Sequence, residues 1–449
     1  MNVTIVGGGL AGCEAAWQLA KRGVTVLIRE MKPHAYSPAH TSPHLAELVC
    51  SNSLRSSALT SAAGLLKEEL RVLDSLIMRA ADTTAVRAGR ALAVDRDLFA
   101  RYVTECLENH PRVTVERQEA FEVPPAEAGV TIVATGPLTS DPLANDIQRL
   151  LGESGLSFYD AIAPIVTAQS LDFSKLFRAS RYGSGDEEGD YLNAPLDERQ
   201  YRTFVSELLA ARKVDPYPFE HIPHFEGCLP VEVLASRGPD TLAFGPMKPV
   251  GLVDPSTGKR PFAVVQLRAE NHEGTLYNLV GFQTKMTYGE QERVFRTIPG
   301  LERAEFVRLG SVHRNTYLDA PSVLDAFCRA KSLPHLFFAG QITGVEGYIE
   351  STASGLIVAI LAGLLLKGVT PELPPPVTAT GALMMHTQNS TAKKYEPMNV
   401  NFGIMDPPPS GTPKRRRKEL LAERALKAIR EWVARTERLW EEASSRSSR

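Results

Sequence analysis

Residues 2–30 read NVTIVGGGLAGCEAAWQLAKRGVTVLIRE, and their order decides the fold. Residues 2–7, NVTIVG, are an apolar run with the character of a buried strand. Residues 11–22, AGCEAAWQLAKR, place Ala15, Leu19 and Ala20 on one helical face, and Gly23 stops the helix. Residues 24–30, VTVLIRE, form a second strand, and the whole unit has the length a parallel crossover needs. Between strand and helix lies Gly7-Gly8-Gly9-Leu10-Ala11-Gly12, a G-x-G-x-x-G. Gly7 allows the tight turn, Gly9 lets a pyrophosphate approach the backbone, and Gly12 lets the helix lie close to the strand. The helix N-terminus then faces the phosphate. Glu30, 18 residues after Gly12, ends the second strand, where a carboxylate accepts from ribose hydroxyls. The glycine string alone is a weak signal; strand, helix and terminal acid together make it a strong one.

Outward from this unit, residues 31–59 are rich in Pro, His and Ser and read as a long loop. Residues 60–80 carry Leu65, Leu66, Leu70, Leu73 and Leu76 at near-helical spacing, and 95–109 read as a helix capped by Asp95. Strands follow near 113–123 and 130–135. From about 160 to 320, short β-like runs (APIVTA, FAVVQLR, LYNLVGF, EFVRLGSVH) alternate with turns and a few helices. The α/β texture returns with LPHLFFAG (333–340) and a helix from about 350 to 366. Residues 368–413 read as irregular, and 414–443 as an amphipathic helix with Leu421, Ala425, Ile429, Trp432 and Trp440 near one face. The expected architecture is α/β: a discontinuous Rossmann-like FAD-binding domain of glutathione-reductase type over 1–160 and 322–449, its basic C-terminal helix at 414–449. An α+β insertion at 161–321 serves as the substrate domain.

Flavin rather than nicotinamide is the expected resident dinucleotide. TIVATG (131–136) and FFAGQ (337–341) each read as a strand running into glycine, Gly136 and Gly340, beside the carboxyl edge of the sheet, with Gln341 following. The late return of the chain to its first domain resembles two-domain flavoproteins. A second G-x-G-x-x-G is missing, so NAD(P)H would bind transiently against the flavin.

The 449 residues carry 50 Lys+Arg and 52 Asp+Glu, a formal net charge of −2, with 43% hydrophobic residues. That composition excludes global disorder and argues against non-specific coating of nucleic acid or membrane. The total is an average: residues 411–449 hold 12 Lys+Arg against 6 Asp+Glu, net +6, leaving −8 elsewhere. Lys414, Arg415, Arg416, Arg417 and Lys418 form an unbroken basic run. It reads equally as the footprint of a phosphate backbone or as a solvated helix whose cations pair with Glu419, Glu423 and Glu431. The longest apolar run, Gly355–Leu366, is shorter than the ~20 residues a bilayer span needs. No basic leader precedes the first strand, and a cytoplasmic protein without membrane contact is expected.

Five cysteines, at 13, 50, 106, 228 and 328, form no CxxC pair, which argues against a disulfide scaffold. Cys13, Cys106 and Cys328 read as helix or core residues. Cys50, in AELVCSNSLRSS beside Arg55, and Cys228, in HIPHFEGCLPVEV, lie in turn-like contexts. A catalytic thiol must be a thiolate, and cations lower its pKa from ~8.5. His221, His224, Arg237 and Lys248 are sequence-near cations for Cys228. The two histidines with Cys228 lack a fourth ligand for structural zinc, and no metal is expected. The stretch GVEGYIES (344–351) opens a helix after a flavin-type strand. Tyr348 could stack on a ring and Glu346 or Glu350 bond a pterin or flavin edge; equally, Glu350 and Ser351 suit a capped helix start.

GGGLAGCEAAWQLAKRG, AELVCSNSLRS, AGRALAVDRD, FYDAIAPIV, FEGCLPVEVLASRGPDTLAFGPMKPVGL, FFAGQITGVEGYIES and EPMNVNFG together resemble the folate- and FAD-dependent tRNA (uracil-5-)-methyltransferases, over residues 2 to about 404. The larger GidA/MnmG-type flavoproteins share the fold and the FFAGQ-type motif but carry an extra C-terminal helical domain. The resemblance implies C5 methylation of uridine-54 in the tRNA T loop. The carbon would come from 5,10-methylenetetrahydrofolate, with reducing equivalents from the flavin recharged by NAD(P)H. It implies Cys228 as uracil nucleophile, Cys50 near the flavin as a candidate base, Gly7 to Gly12 as the phosphate turn, and Tyr348 near the folate and flavin rings. A ribosomal RNA target or a flavin NAD(P)H oxidase stays open at this point, as do the order of methylene transfer and the oligomeric state.

Overall fold

The computed structural model describes residues 2–152, 156–161, 163–181, 189–214, 229–310, 312–388, 395 and 397–447, with backbone alone at 156–161, 312–315 and 447. The flavin-type unit opens with β1 (Asn2–Val6), α1 (Leu10–Ala20) and β2 (Thr25–Arg29). It continues through β3 (Ser53–Ser56), α2 (Ala62–Val72), α3 (Leu76–Thr83), β4 (Ala85–Val86), β5 (Ala91–Val94), α4 (Arg96–Glu108), β6 (Val113–Glu116), β7 (Val130–Val133) and α5 (Asp141–Leu151). The inserted unit follows: β8 (Leu156–Ala161), β9 (Ile165–Thr167), β10 (Phe177–Ala179), β11 (Tyr191–Leu196), α6 (Glu198–Ala210), α7 (Val231–Ser236), α8 (Thr241–Phe244), β12 (Ala263–Ala269), β13 (Leu276–Leu279), α9 (Tyr288–Phe295), β14 (Phe306–Arg308) and β15 (Val312–Tyr317). The chain closes with α10 (Ala320–Val323), β16 (Leu336–Phe338), α11 (Tyr348–Leu366), α12 (Ala379–His386) and α13 (Arg417–Ser447).

The first sheet is five-stranded and parallel throughout, in the order β16-β7-β1-β2-β6. Its strands are continuous apolar runs because helices cover both faces: Val3, Ile5, Val26, Ile28, Ile132, Val133 and Leu336 to Phe338 are buried. The expected Rossmann-like α/β class is what the chain adopts. The inserted unit has its own core around Tyr201, Phe204, Phe282 and Phe295. Its sheet is six-stranded and antiparallel, in the order β10-β11-β12-β13-β9-β14. The chain crosses between the units on β8 and β15, which pair with each other antiparallel.

Several local expectations change, among them the expected loop 31–59, which contains β3. The leucine periodicity of 60–80 runs through two helices, because Asp74 takes a positive φ of 55° and Ser75 starts a new helix by accepting from the Met78 N–H. The irregular segment 368–413 contains α12, whose N-terminus Thr378 caps by accepting from the Gly381 N–H. Cys328 is not helical: it sits at φ 55° in the turn before β16, fully packed, with burial pushing its thiol up to about 12. α11 also begins earlier than its apolar run and reaches 19 residues. It is long and apolar enough by length and composition to cross a bilayer, but 89% of that span is buried inside this chain. Its closest neighbour is α1: a Cβ on Gly355 would lie 2.2 Å from the Ala11 carbonyl oxygen.

α12 is held by Glu69 of α2, which is fully buried and accepts from the N–H groups of Ala379 and Thr380 and from the Thr380 hydroxyl. Burial pushes its carboxyl up to about 7 against an ordinary 4.5. The folded chain therefore holds a proton there that the unfolded chain has released. The stabilisation is complete below pH ~4.5 and is lost as pH rises through ~7, on the order of 3 kcal/mol. Glu69→Gln has no such titration, so wild type is expected to lose stability relative to it over that window. Urea unfolding of both proteins across that range checks this; a constant difference would place the titration elsewhere.

Candidate functional site

The glycine turn creates the cleft. Gly7, at φ +103°, tucks against β7, where a Cβ would meet the Ala134 oxygen at 2.7 Å. A Cβ on Gly12 would lie 1.9 Å from the Gly7 oxygen, so this glycine sets the distance between strand and helix. Gly9 differs: nothing lies within 4 Å of where its Cβ would stand. That open space lies over the start of α1, which has no side-chain cap, so its first-turn N–H groups are available to an outside acceptor. Glu30 sits beside the turn, its Oε2 accepting from the Gly8 N–H at 2.7 Å and its Oε1 from the Lys32 N–H at 3.0 Å. The lone pairs left over can take ribose hydroxyls.

The cleft spans about 1030 Å³ of empty space, part of it open to solvent. Gly7, Gly8, Gly9, Leu10, Ala11, Glu30, Gly136, Gly340, Gln341 and Tyr348 all line it. Gly340, at φ +82°, lies against Ala11, and its N–H donates to Ser354 Oγ at 3.0 Å. Gln341 is fixed by donating to Glu346 Oε1 at 2.7 Å. A cleft lined by an open glycine turn, with the Glu30 carboxylate beside it, fits a dinucleotide such as FAD.

The cleft is also lined by Tyr348, the first residue of α11. Its hydroxyl accepts from the Cys50 N–H at 2.8 Å and the Ser51 N–H at 3.3 Å, and donates to Cys50 Sγ at 3.2 Å. Burial and the adjacent sulfur raise its hydroxyl well above the ordinary 10, which keeps it protonated. Glu350 does not line the cleft. It is fully buried; its Oε1 accepts from Arg55 and from the Val400 N–H, and its Oε2 is buried without a hydrogen bond. Of the GVEGYIES side chains, Tyr348 lines the cleft, while Glu350, in the first turn of α11, makes no side-chain cap to that helix and instead ties it to Arg55 and Val400. The 398–400 segment braces that start, with Met398 N–H donating to Gly344 O and Glu346 N–H to Met398 O.

Cys228, together with His221 and His224, lies outside the described residues; the chain resumes at Leu229 and Pro230, just before α7. Among the described residues no group of three His, Cys, Asp or Glu could hold a metal ion. Lys414 to Lys418 are all exposed; the first three form a 3-10 turn and the last two begin α13. The helix behind them docks through Trp440, whose ring fills the gap left by Gly363 and whose Nε1 donates to Arg22 O at 3.2 Å.

Sequence reasoning missed the polar frame around Cys50. Arg268, 5% exposed on β12, donates through Nε to Asn52 Oδ1 and through Nη2 to Ser51 Oγ, both at 2.8 Å. Arg96, at the start of α4, donates to Leu48 O at 2.7 Å and pairs with Glu270. Arg308, on β14, donates to Ala39 O at 3.3 Å. Arg55, the cation nearest to Cys50 in sequence, turns instead to Glu350. No local signal marks Arg268 or Arg308, since each lies more than 200 positions from Cys50 and only the docking of the inserted unit brings them close.

A sequence profile of the GIDA family, glucose inhibited division protein A, matches residues 2–370. The methylenetetrahydrofolate–tRNA-(uracil-5-)-methyltransferase TrmFO of Geobacter sulfurreducens is 61% identical over 432 residues, covering 96% of this chain and 99% of that protein. The protein of the same name from Syntrophus aciditrophicus is 53% identical over 435 residues, covering 97% of this chain and 98% of its own. In fold, the chain is similar to Aquifex aeolicus GidA, with a TM-score of 0.70 at 16% identity over 98% of this chain and 75% of that one.

Proposed function

Because the chain belongs to the GIDA family, and within it to the methylenetetrahydrofolate–tRNA-(uracil-5-)-methyltransferases, we infer that it is an FAD-dependent enzyme methylating a uracil C5 in tRNA with methylenetetrahydrofolate as carbon source. The observation that carries this beyond the name is the juxtaposition of a dinucleotide cleft with a hydrogen-bonded Tyr348–Cys50 pair beside it. The finer reading is uridine-54 of the T loop as target and NAD(P)H as the source of electrons. The missing second dinucleotide fingerprint supports a transient reductant. The soluble substrates support a cytoplasmic site of action.

Uracil C5 is a poor nucleophile. In the proposed reaction the Cys228 thiolate adds to C6, forming an S–C6 bond and moving the ring electrons onto C5 and O4. C5 then attacks the electrophilic methylene carbon of the folate. Cys50 removes the C5 proton, and the electron pair left behind expels the folate nitrogen, breaking its bond to the transferred carbon and leaving an exocyclic methylene on C5. Bound FAD, in its reduced form, would supply the hydride that this methylene accepts, as the ring electrons re-form C5=C6 and expel the Cys228 sulfur. Gly7 to Gly12 and Glu30 would hold its pyrophosphate and ribose, while Tyr348 orients Cys50. The T-loop base must leave its stack to reach this site, at a cost of a few kcal/mol.

The direct test is transfer of label from methylenetetrahydrofolate to a tRNA transcript by the yellow, FAD-loaded protein, with a transcript lacking the T-loop uridine as control. Absence of label with flavin and folate bound would overturn the reading. Docking of RNA on the basic run is a separate expectation. Neutralising Lys414 to Lys418 is expected to weaken tRNA binding and to flatten the salt dependence, by up to ~0.9 in log–log slope for each phosphate no longer neutralised. Binding titrations at several salt concentrations check this, and an unchanged slope removes the run from the RNA surface.

A further inference from the structure

The loop carrying Cys50 is surrounded by cations. Arg96 comes from α4, Arg268 from β12 and Arg308 from β14, and each interacts electrostatically with the Cys50 side chain. Arg268 is anchored one and two residues away, on Ser51 and Asn52, and Arg96 two residues away, on Leu48. Among the described residues, the titratable groups facing them are Glu270, which pairs with Arg96 and also acts on Arg268, Glu47 and His40 on the Arg308 side, Tyr191 beside Arg268, and Tyr348. Glu47 is engaged elsewhere: it pairs with Lys32 and accepts from Thr41 and Ser42. Among the described residues, three guanidinium groups therefore share one carboxylate that is not engaged elsewhere, Glu270, in a setting where burial lowers the pKa of both Arg268 and Arg308. Asn52 adds no charge, and its amide is spent on the Val94 and Ala269 carbonyls.

Such a cluster is costly unless an anion completes it. Tyr348 is not that anion, because its hydroxyl is a donor to the sulfur and an acceptor for two N–H groups. Among the described residues, Cys50 Sγ is the ionisable atom that all three arginines share, and it accepts the Tyr348 hydrogen. We propose that Arg96, Arg268 and Arg308 hold Cys50 as a thiolate at neutral pH, with Arg268 and Arg308 delivered by the inserted unit. The inserted unit is then more than a substrate platform: its docking converts a loop thiol into a base. The arginines are positioning residues that act through Cys50. The proposal rests on the reading that Cys50 works as the base of the transfer, and its test does not depend on turnover.

The experiment is site-resolved alkylation of the FAD-loaded full chain by iodoacetamide across pH, read by mass spectrometry. Cys106 of α4, half-exposed and distant in sequence, is the internal reference. In wild type the Cys50 midpoint is expected below pH ~7, against ~8.5 for a free thiol. Arg308→Gln is expected to raise that midpoint and slow Cys50 alkylation near neutral pH several-fold, while Arg308→Lys retains most of the effect and Cys106 does not change. Arg308 is chosen because its hydrogen bond goes to Ala39, away from the Cys50 loop. If the reagent does not reach Cys50 in holoenzyme, the ultraviolet thiolate absorbance of wild type minus Cys50→Ser gives the same midpoint. A wild-type midpoint at or above that of a free thiol overturns the proposal, whether or not the variant folds. So does a midpoint that Arg308→Gln leaves unmoved. A shifted midpoint in a protein that transfers no label to tRNA would keep the thiolate and sink the methyltransferase reading, so the two failures are distinct.

Discussion

Gly12→Ala is expected to give a protein that holds no flavin and is destabilised by roughly 3–5 kcal/mol, the range for severe core overpacking. The added Cβ would lie 1.9 Å from the Gly7 oxygen and 3.1 Å from its carbonyl carbon, both backbone atoms, so no side chain can swing aside. Alanine's better helix propensity, worth about 1 kcal/mol, does not offset this. Relief requires α1 to lift from β1, which carries the first-turn N–H groups away from the phosphate position. Gly9→Ala is the matching control. Its backbone, at φ −77°, accepts any residue, and no atom lies within 4 Å of the new methyl. That variant is expected to fold with wild-type stability and to bind FAD more weakly, because the methyl occupies the space the pyrophosphate needs. Visible absorbance of the purified proteins and urea unfolding separate the two. A stable, yellow Gly12→Ala protein would contradict the close packing of strand and helix.

Cys228→Ala and Cys50→Ala are both expected to abolish methyl transfer, but at different steps. Loss of a nucleophile removes the covalent route entirely, and activity should fall by ~10⁴ or more. Loss of a general base costs about 10²–10⁴. RNA carrying 5-fluorouracil in the T loop distinguishes them, since fluorine at C5 cannot leave as a proton. Wild type and Cys50→Ala are expected to retain a covalent RNA adduct that survives denaturation, and Cys228→Ala to form none. An adduct in Cys228→Ala with none in Cys50→Ala would exchange the two roles.

How much was legible in the sequence depends on how local the determining physics is. The glycine turn between strand and helix could be read from residues 2–30 alone because strand, turn and helix are set by neighbours, and Glu30 is carried to the turn by the strand period. The late strand at Leu336–Phe338 was legible for the same reason. Where one residue changes the backbone, periodicity misleads: Asp74 splits a leucine pattern into two helices without interrupting it. The helix-like run around Cys328 failed likewise, since a positive φ there makes a tight turn that apolar spacing does not reveal. Glu350 was ambiguous because a carboxylate in the first turn of a helix suits either a cap or a ligand; it takes a third role, bonding Arg55 and the Val400 N–H. The arginines around Cys50 were illegible, because their meeting depends on how an antiparallel sheet docks against a parallel one.

The end of the chain returns to its beginning. Trp440 donates to Arg22 O across 418 positions, and Arg22 pairs with Glu437 across 415. β16, similarly, joins β7 only after the inserted unit has been made. The inserted sheet by contrast is built from strands that lie within residues 165–308. Loop closure over such spans is slow compared with local pairing. On the ribosome the inserted unit can therefore acquire its core while the parallel sheet still lacks an edge strand and its two long helices. The dinucleotide cleft, first to be encoded, gains its last lining residues only with β16 and the start of α11, at Gly340 to Ser351, so flavin can be captured only after the inserted unit has been made.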